Sequence, residues 1–159
     1  MKALTLTQPW ATLVAVGEKS IETRSWGTSY RGPLAIHSAK GFPRDARELC
    51  RMSPYREGLR RHGYEDALSL PLGAVIAVAE LVDVIQFTRG TLGDVRARAK
   101  RGELPPHEAD FGDFSPGRYG WLLKDVRPLR EPIPARGMLG LWEVSEETQA
   151  RIDRQLRRR

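Results

Sequence analysis

Residues 73–87, GAVIAVAELVDVIQF, carry the strongest strand signal in the chain. β-Branched residues recur throughout this stretch, and such side chains suit a pleated strand better than a helix. Val75, Ala77 and Ala79 alternate with their neighbours, which predicts that they share one inward face. We expect Ile36, from another predicted strand, to join that face. The pattern therefore predicts a long and largely buried β-strand.

Further segments on both sides complete the predicted fold. Strands are expected over residues 4–7, 20–26, 34–38, 119–123 and 140–144. Helices are expected over residues 10–17, 43–51, 55–62 and 91–101, and a last helix is expected to begin with a cap at 145–148. Residues 104–117 are predicted to form a loop. Six strands with few crossover-length helices between them predict an α+β fold with a mainly β core. We expect a small mixed or antiparallel barrel with flanking helices.

The composition excludes several classes of protein. The 159 residues suit a single domain, which we assign to residues 1–145, with 146–159 as a helix and basic tail of the same domain. The longest apolar stretch, 74–79, is too short to span a bilayer, and no secretory signal is visible. Cys50 is alone and the histidines are scattered, so we expect no disulfide, metal or cofactor. The prediction is a cytoplasmic protein with no membrane partner.

The charge balance points weakly to polyanions. Lys and Arg total 26 against 20 acidic residues, a net charge of +6. Such an excess favours contact with nucleic acid and is equally typical of mildly basic bacterial proteins. Arginine is concentrated at 40–61 and 89–101, and the final Arg157–Arg159 reads as a solvated end. The chain has 21 Arg, five Lys and no Asn, which fits a thermophilic source and a GC-rich genome equally well.

Residues 17–26, GEKSIETRSW, are the most informative segment for function. Glu22, Arg24 and Trp26 are two apart, so they share one strand face, with Lys19 just before them. One interpretation is a salt-bridged outer face. The other is a binding cleft in which Lys19 and Arg24 bind an anion, Glu22 accepts a hydrogen bond from a base edge and Trp26 stacks.

The pattern Gly17-x-Lys19-x-x-Glu22-x-Arg24 resembles the signature of ASCH domains, a branch of the PUA-like superfamily. Other segments resemble the family in the same order, so the resemblance covers residues 2–144: QPWA at 8–11, YRG at 30–32, IHS at 36–38, GRYGW at 117–121 and GLW at 140–142. The resemblance implies a bacterial single-domain form with a PUA-like β-barrel. It also implies a cleft lined by the signature that binds RNA or a modified nucleotide.

The candidate ligand-binding set extends beyond the signature. It comprises Lys19, Glu22, Arg24, Trp26, Gln8, Trp10, His37, Ser38, Arg118 and Tyr119. Arg118 suits phosphate and Tyr119 suits stacking. The alternatives remain open at this stage, because His37 after an apolar strand also suits a hydrogen-bonded core position and Tyr119 also suits a core strand.

Two other functions remain alternatives. For all three functions we expect a monomer. Some family members are acetylcytidine amidohydrolases, in which the signature lysine is the base and a threonine three residues later is the nucleophile, and another is described as a ribonuclease. Glu22 replaces that threonine here, so a hydrolase would need Lys19 as base, Glu80 as acid partner and a nearby hydroxyl. ASCH domains also occur in transcription coactivators, which gives a protein-interaction adaptor as the third hypothesis.

Overall fold

The computed structural model describes residues 1–158, and Arg159 of the expected basic tail lies outside the described residues. The strands are β1 (Lys2–Leu6), β2 (Ile21–Arg24), β3 (Gly32–Ser38), β4 (Ala74–Gln86), β5 (Tyr119–Pro134) and β6 (Leu141–Glu143). The helices are α1 (Trp10–Ala15), α2 (Arg44–Leu49), α3 (Tyr55–Arg60), α4 (Thr91–Lys100) and α5 (Glu146–Arg157), with 3₁₀ turns at Ala67–Ser69 and Glu108–Asp110. No helix among these is long and apolar enough to cross a bilayer.

All six strands form one sheet in the order β2-β5-β4-β3-β1-β6. β1 and β3 pair in parallel, and the remaining pairs are antiparallel. The sheet curls into a half-barrel whose edges are β2 and β6. The predicted α+β class with a mainly β core and flanking helices is therefore confirmed.

Both faces of the sheet are buried, and this corrects the predicted inward face. Ala77, Ala79 and Ile36 pack in a core covered by α1. Val75 instead joins the opposite core, with Ile152 of α5. The pairing of β4 with β5 shifts register between Val75 and Ala77. Such a bulge adds one residue to a strand and reverses the alternation of side chains beyond it.

The fold also departs from the sequence prediction in two places near residues 104–134. β5 runs on to Pro134, although a strand was expected only over 119–123. Its second half carries three prolines, which sequence reasoning reads as the end of a strand. The predicted loop 104–117 contains a 3₁₀ turn, and Phe111 within it is fully buried. The loop therefore sends a few side chains into the interior and contributes to the candidate site.

Helix ends followed local sequence signals closely. α1 ends at Ala15, and Gly17 shortly after it adopts φ +84°, a backbone conformation that glycine enters without steric cost. α5 begins after Ser145, whose side-chain oxygen accepts a hydrogen bond from the backbone N–H of Thr148 at 3.1 Å. Both boundaries confirm the sequence prediction, because each depends on residues within a single turn.

Two glycines provide a test of the packing between β2, β5 and the segment after β4. A Cβ on Gly120 would lie 2.6 Å from Cε1 of buried Phe87 and 3.1 Å from Cγ2 of Ile21. We expect Gly120→Ala to lower the free energy of unfolding in urea by about 1–3 kcal/mol, through overpacking. Gly93 of α4 has open space around it, so Gly93→Ala should raise stability by about 0.5–1 kcal/mol. Equal effects of the two substitutions would contradict this packing.

Candidate functional site

The signature lysine is buried beneath the surface, which corrects the sequence prediction that it binds an anion in the cleft. After α1 ends, the backbone N–H of Lys19 donates to the carbonyl of Leu13 at 3.1 Å, and the side chain turns inward. The Lys19 Nζ donates to the carbonyl oxygens of Ile21 at 2.5 Å and Phe111 at 2.8 Å. Its exposed fraction is 0%. Lys19 therefore joins β2 to the 104–117 loop and does not reach solvent.

Two carboxylates balance the buried ammonium. The Glu22 Oε1 lies 3.8 Å from Lys19 Nζ. Glu108, also fully buried, accepts hydrogen bonds from the backbone N–H groups of Ser20 at 2.9 Å and Ile21 at 2.5 Å, and from the Ser20 hydroxyl at 3.2 Å. We call Lys19, Glu22 and Glu108 the buried charge cluster. It supplies partners to the outer edge of β2, a strand that has a neighbour on one side only.

Burial shifts the ionisation of both ends of this cluster. Loss of water lowers the pKa of Lys19, and the carboxylates of Glu22 and then Glu108 act in the opposite direction. Loss of water likewise raises the pKa of Glu108, against the charge of Lys19 and the hydrogen bonds from Ser20 and Ile21. Each charged group therefore depends on the other for its place in the interior.

Arg24 carries the charge of the signature to the surface. Its Nη1 donates to Glu22 Oε2 at 3.2 Å, so Glu22 lies between the lysine on one side and the arginine on the other. The guanidinium carbon of Arg24 lies 5.5 Å from the ring centroid of Trp26. Trp26 in turn meets Trp121 edge to face at 4.8 Å. Arg24 is thus oriented from two sides before any ligand arrives.

Glu22 and Arg24 project into one concavity, as predicted from their spacing. This small cavity has a volume of about 420 Å³. It is lined by Thr5, Thr7, Trp10, Glu22, Thr23, Arg24, Tyr55, Asp110, Phe111, Gly112 and Asp113. The lining carries three carboxylates and one guanidinium, and Trp10 contributes an aromatic wall. Two of the carboxylates also have a cation behind them, since Lys19 lies 3.8 Å from Glu22 and Arg118 lies 3.4 Å from Asp113.

A larger cavity of about 1330 Å³ adjoins the small one, and Thr5 and Arg24 line both. We call the two together the cleft. The large cavity has three cationic side chains, Arg24, Lys40 and Arg136, and no carboxylate among the described residues that line it. Leu139, which is 99% exposed, also lines it. The two halves of the cleft therefore differ in the sign of their charge and meet at Arg24.

His37 anchors the segment 135–140 that forms one wall of the large cavity. Its Nε2 lies 2.7 Å from the carbonyl oxygen of Ala135, which only accepts, so Nε2 carries the proton. The Nδ1 then accepts from the Thr5 hydroxyl at 3.1 Å, and that hydroxyl accepts from Trp142 Nε1 at 3.1 Å. Gly137 packs on the ring so closely that a Cβ would lie 2.7 Å from Cε1.

Several predicted residues lie outside the cleft. Gln8 and Ser38 are fully buried, and their side chains bond internally to Thr12, Pro71 and Ala74. Trp26, Arg118 and Tyr119 line neither cavity. Glu80 also lines neither cavity and lies on β4 between Pro33 and Lys124.

The structure also supplies site residues that the sequence reasoning missed. Glu108, Asp110 and Asp113 come from the predicted loop, and Lys40 and Arg136 come from distant connections. The one available signal was the concentration of acidic residues in the stretch HEADFGD at 107–113. Its position beside β2 is a tertiary contact that no local pattern encodes.

Residues 4–111 match the family model of the ASCH domain. The chain belongs to the ASCH domain family. Activating signal cointegrator 1 from Homo sapiens is 36% identical over 146 residues, which cover 91% of this chain and 22% of that protein. The Mus musculus protein of the same name is 33% identical over 144 residues, again 91% of this chain and 22% of the relative. This ASCH chain thus spans about a fifth of the length of these relatives.

Solved structures agree with the fold. The crystal structure of ASCH from Zymomonas mobilis superposes with a TM-score of 0.55, covering 96% of this chain and 93% of that one, at 15% identity. A variant of the Zymomonas mobilis protein gives a TM-score of 0.54 with 94% of that chain covered. At this identity the likeness establishes the PUA-like ASCH fold alone.

Removal of the buried ammonium should be costly. We expect Lys19→Met to lower the free energy of unfolding by about 3–5 kcal/mol, because it leaves the buried carboxylate of Glu108 without its countercharge and Glu22 with Arg24 alone. Addition of Glu108→Gln should recover part of that loss, since the second charge is then removed as well. Urea denaturation of the two single variants and the double variant measures the coupling, and strictly additive losses would show that the groups act independently.

Stability should fall in acid partly because of His37. Burial lowers the pKa of this imidazole below the value near 6.5 of an unfolded chain. The neutral ring therefore contributes stability that is fully present above about pH 6.5 and is lost as the pH falls through the lower folded-state pKa. We expect wild type to lose more free energy of unfolding between pH 7 and pH 5 than His37→Gln. Parallel pH profiles for the two proteins would refute this role.

Proposed function

We propose that this ASCH domain binds single-stranded RNA, or a modified nucleotide within it, in the cleft. The observation that carries the proposal is the separation of charge on either side of Arg24. A cavity with three cations and no lining carboxylate adjoins a smaller cavity with three carboxylates. A nucleotide has the complementary arrangement, an anionic phosphate joined to a base whose edge carries N–H donors.

The large cavity suits the sugar–phosphate backbone. Lys40 and Arg136 form no ion pair within residues 1–158, so both charges are free to neutralise phosphate. Arg24 has one guanidinium nitrogen engaged by Glu22 and offers the rest of its planar fork. Met138 and Leu139 add an apolar surface beside these cations, against which a ribose or an unstacked base can pack.

The small cavity suits a base. Its volume of about 420 Å³ lies within the range of small-molecule sites, roughly 300–1,000 Å³. Glu22 already accepts from the backbone N–H of Thr23 and from Arg24, and a carboxylate has about four acceptor positions in all. The remaining positions favour a base that presents an amino or imino group. Trp10 on the cavity wall offers a ring for contact with the base.

Lys19 takes part in this proposal as a positioning residue. It is fully buried and neutralises Glu22 from behind, while Glu22 holds Arg24 at the junction of the two cavities. The signature therefore acts as a chain of alternating charges. Only its last two members, Glu22 and Arg24, are placed to touch a ligand.

The other hypotheses have less support from the geometry. The hydrolase hypothesis needs Lys19 and Glu80 at one open site, but Lys19 is sealed in the interior and Glu80 lines neither cavity. The adaptor hypothesis predicts an exposed apolar patch away from the cleft. Of the two most exposed large apolar side chains among those described, Leu139 lies in the cleft, and Leu68 lies outside it beside the charged side chains of Arg44 and Asp66.

Binding of short single-stranded RNA should weaken with salt, as phosphate contacts require. We expect Lys40→Ala and Arg136→Ala each to lower affinity for all sequences and to reduce the magnitude of the slope of log K against log salt by about 0.7. Arg151→Ala, an exposed position on α5, is the matched control and should change neither. Fluorescence anisotropy over a salt series measures both quantities, and salt-independent binding would exclude the proposal.

Base preference should depend on Glu22. Glu22→Gln exchanges one acceptor oxygen for a donor group, so we expect it to change the ranking of homopolymeric RNAs more than their mean affinity. Thermal unfolding must be recorded beside the binding data, because this substitution also weakens the contact with Arg24. An unchanged ranking in a folded variant would remove Glu22 from base recognition.

A further inference from the structure

A second cationic groove lies beside α2, outside the cleft. Its volume is about 370 Å³, and it is lined by Arg44, Arg47, Glu48, Arg51, Asp66, Ala67 and Leu68. None of these residues lines the cleft. We call it the α2 groove. The function proposed above makes no use of it.

Two arginines of the α2 groove are free of acidic partners. Arg44 pairs with Glu48 at 3.1 Å. Asp66 directs a side-chain oxygen to the backbone N–H of Leu68 at 3.0 Å. Arg47 and Arg51 are both exposed, and within residues 1–158 neither side chain has an ion pair or a hydrogen bond. Their spacing of four places them on the same side of the helix and the turn that follows it.

The α2 groove and the large cavity are lined by neighbouring stretches of the same two chain segments. Residues 39–40 line the large cavity and 44–51 line the groove, while on the opposite wall the chain passes from 72–73 to 66–68. The two walls are in contact where they meet the cavity, since a Cβ on Gly73 would lie 3.7 Å from the Lys40 Cβ. Lys40 and Arg44 are four residues apart, at most about 14 Å of extended chain.

We propose that the α2 groove binds backbone phosphates of the nucleotides next to the one held in the cleft. The inference rests on the proposed function and specifies its ligand: an RNA strand several nucleotides long, instead of a free nucleotide. Arg47 and Arg51 would neutralise phosphates that follow those held by Arg136 and Lys40. Leu68, which is 79% exposed and lines the α2 groove, gives apolar contact to a sugar or base.

The test measures the affinity for a short and a long ligand in variants that lose positive charge at different positions. Wild type, Arg47→Ala/Arg51→Ala and the control Arg151→Ala/Arg154→Ala are titrated with the four nucleoside monophosphates and with a mixed single-stranded RNA of about 12 nucleotides, a typical single-strand site size. Each variant loses two exposed arginines that form no ion pair within residues 1–158, so the two variants carry the same net charge. Thermal unfolding verifies that each is folded.

We expect the Arg47/Arg51 variant to bind the long RNA about tenfold more weakly, with a salt slope smaller in magnitude by about 1.4, the value for two phosphates of a single strand. Its affinity for monophosphates should equal that of wild type, and the control should match wild type on both ligands. Arg47→Lys/Arg51→Lys should restore the salt slope and most of the affinity, because counterion release depends on the number of phosphates neutralised, whether by lysine or by arginine.

Three outcomes would overturn the inference, and each can be told apart from the others. Equal weakening by the two double variants would show a general effect of net charge. Long RNA bound normally by the Arg47/Arg51 variant, yet still dependent on Lys40 and Arg136, would remove the α2 groove and leave the cleft proposal intact. Failure of wild type to bind either ligand would remove both proposals together.

Discussion

The ammonium group of Lys19 is the constraint on which the candidate site depends. A lone charge in the interior costs many kcal/mol, so the surrounding chain must supply its partners. Two carbonyl oxygens do so, from Ile21 and Phe111, together with the carboxylates of Glu22 and Glu108. These partners come from β2 and from the loop that covers it. One buried lysine therefore holds together the segments that form the floor of the small cavity.

A second polar network shapes the other half of the cleft. Trp142, Thr5 and His37 form a chain of hydrogen bonds that ends at the carbonyl of Ala135. This chain fixes the start of the segment that presents Arg136 and Leu139 to the large cavity. Thr5 also lines the small cavity, so both halves share one rigid strand as a wall. The carboxylates of the small cavity and the cations of the large cavity therefore lie close together, and Arg24 is the residue that lines both cavities.

The residues that carry the resemblance to ASCH domains have two different locations in this chain. The residues that resemble the family most strongly divide into two sets. Lys19, Gln8 and Ser38 are sealed in the interior, where each satisfies backbone or side-chain partners. Glu22 and Arg24 face the cleft. In this chain the motif supplies a framework as well as a binding surface, because buried Lys19 neutralises Glu22 and Glu22 in turn orients Arg24.

The sequence by itself determined the fold class, the helix ends and the shared face of Glu22 and Arg24. Each of these depends on periodicity, capping or turn chemistry within a few residues. Tertiary structure alone decided that Lys19 is buried, that Val75 faces the second core and that Glu108 and Asp113 lie beside β2. A bulge displaced Val75 from its predicted face, and contacts between segments some 90 residues apart assembled the site. No local pattern carries such information, because the energy that favours those contacts appears only when distant segments exclude water together.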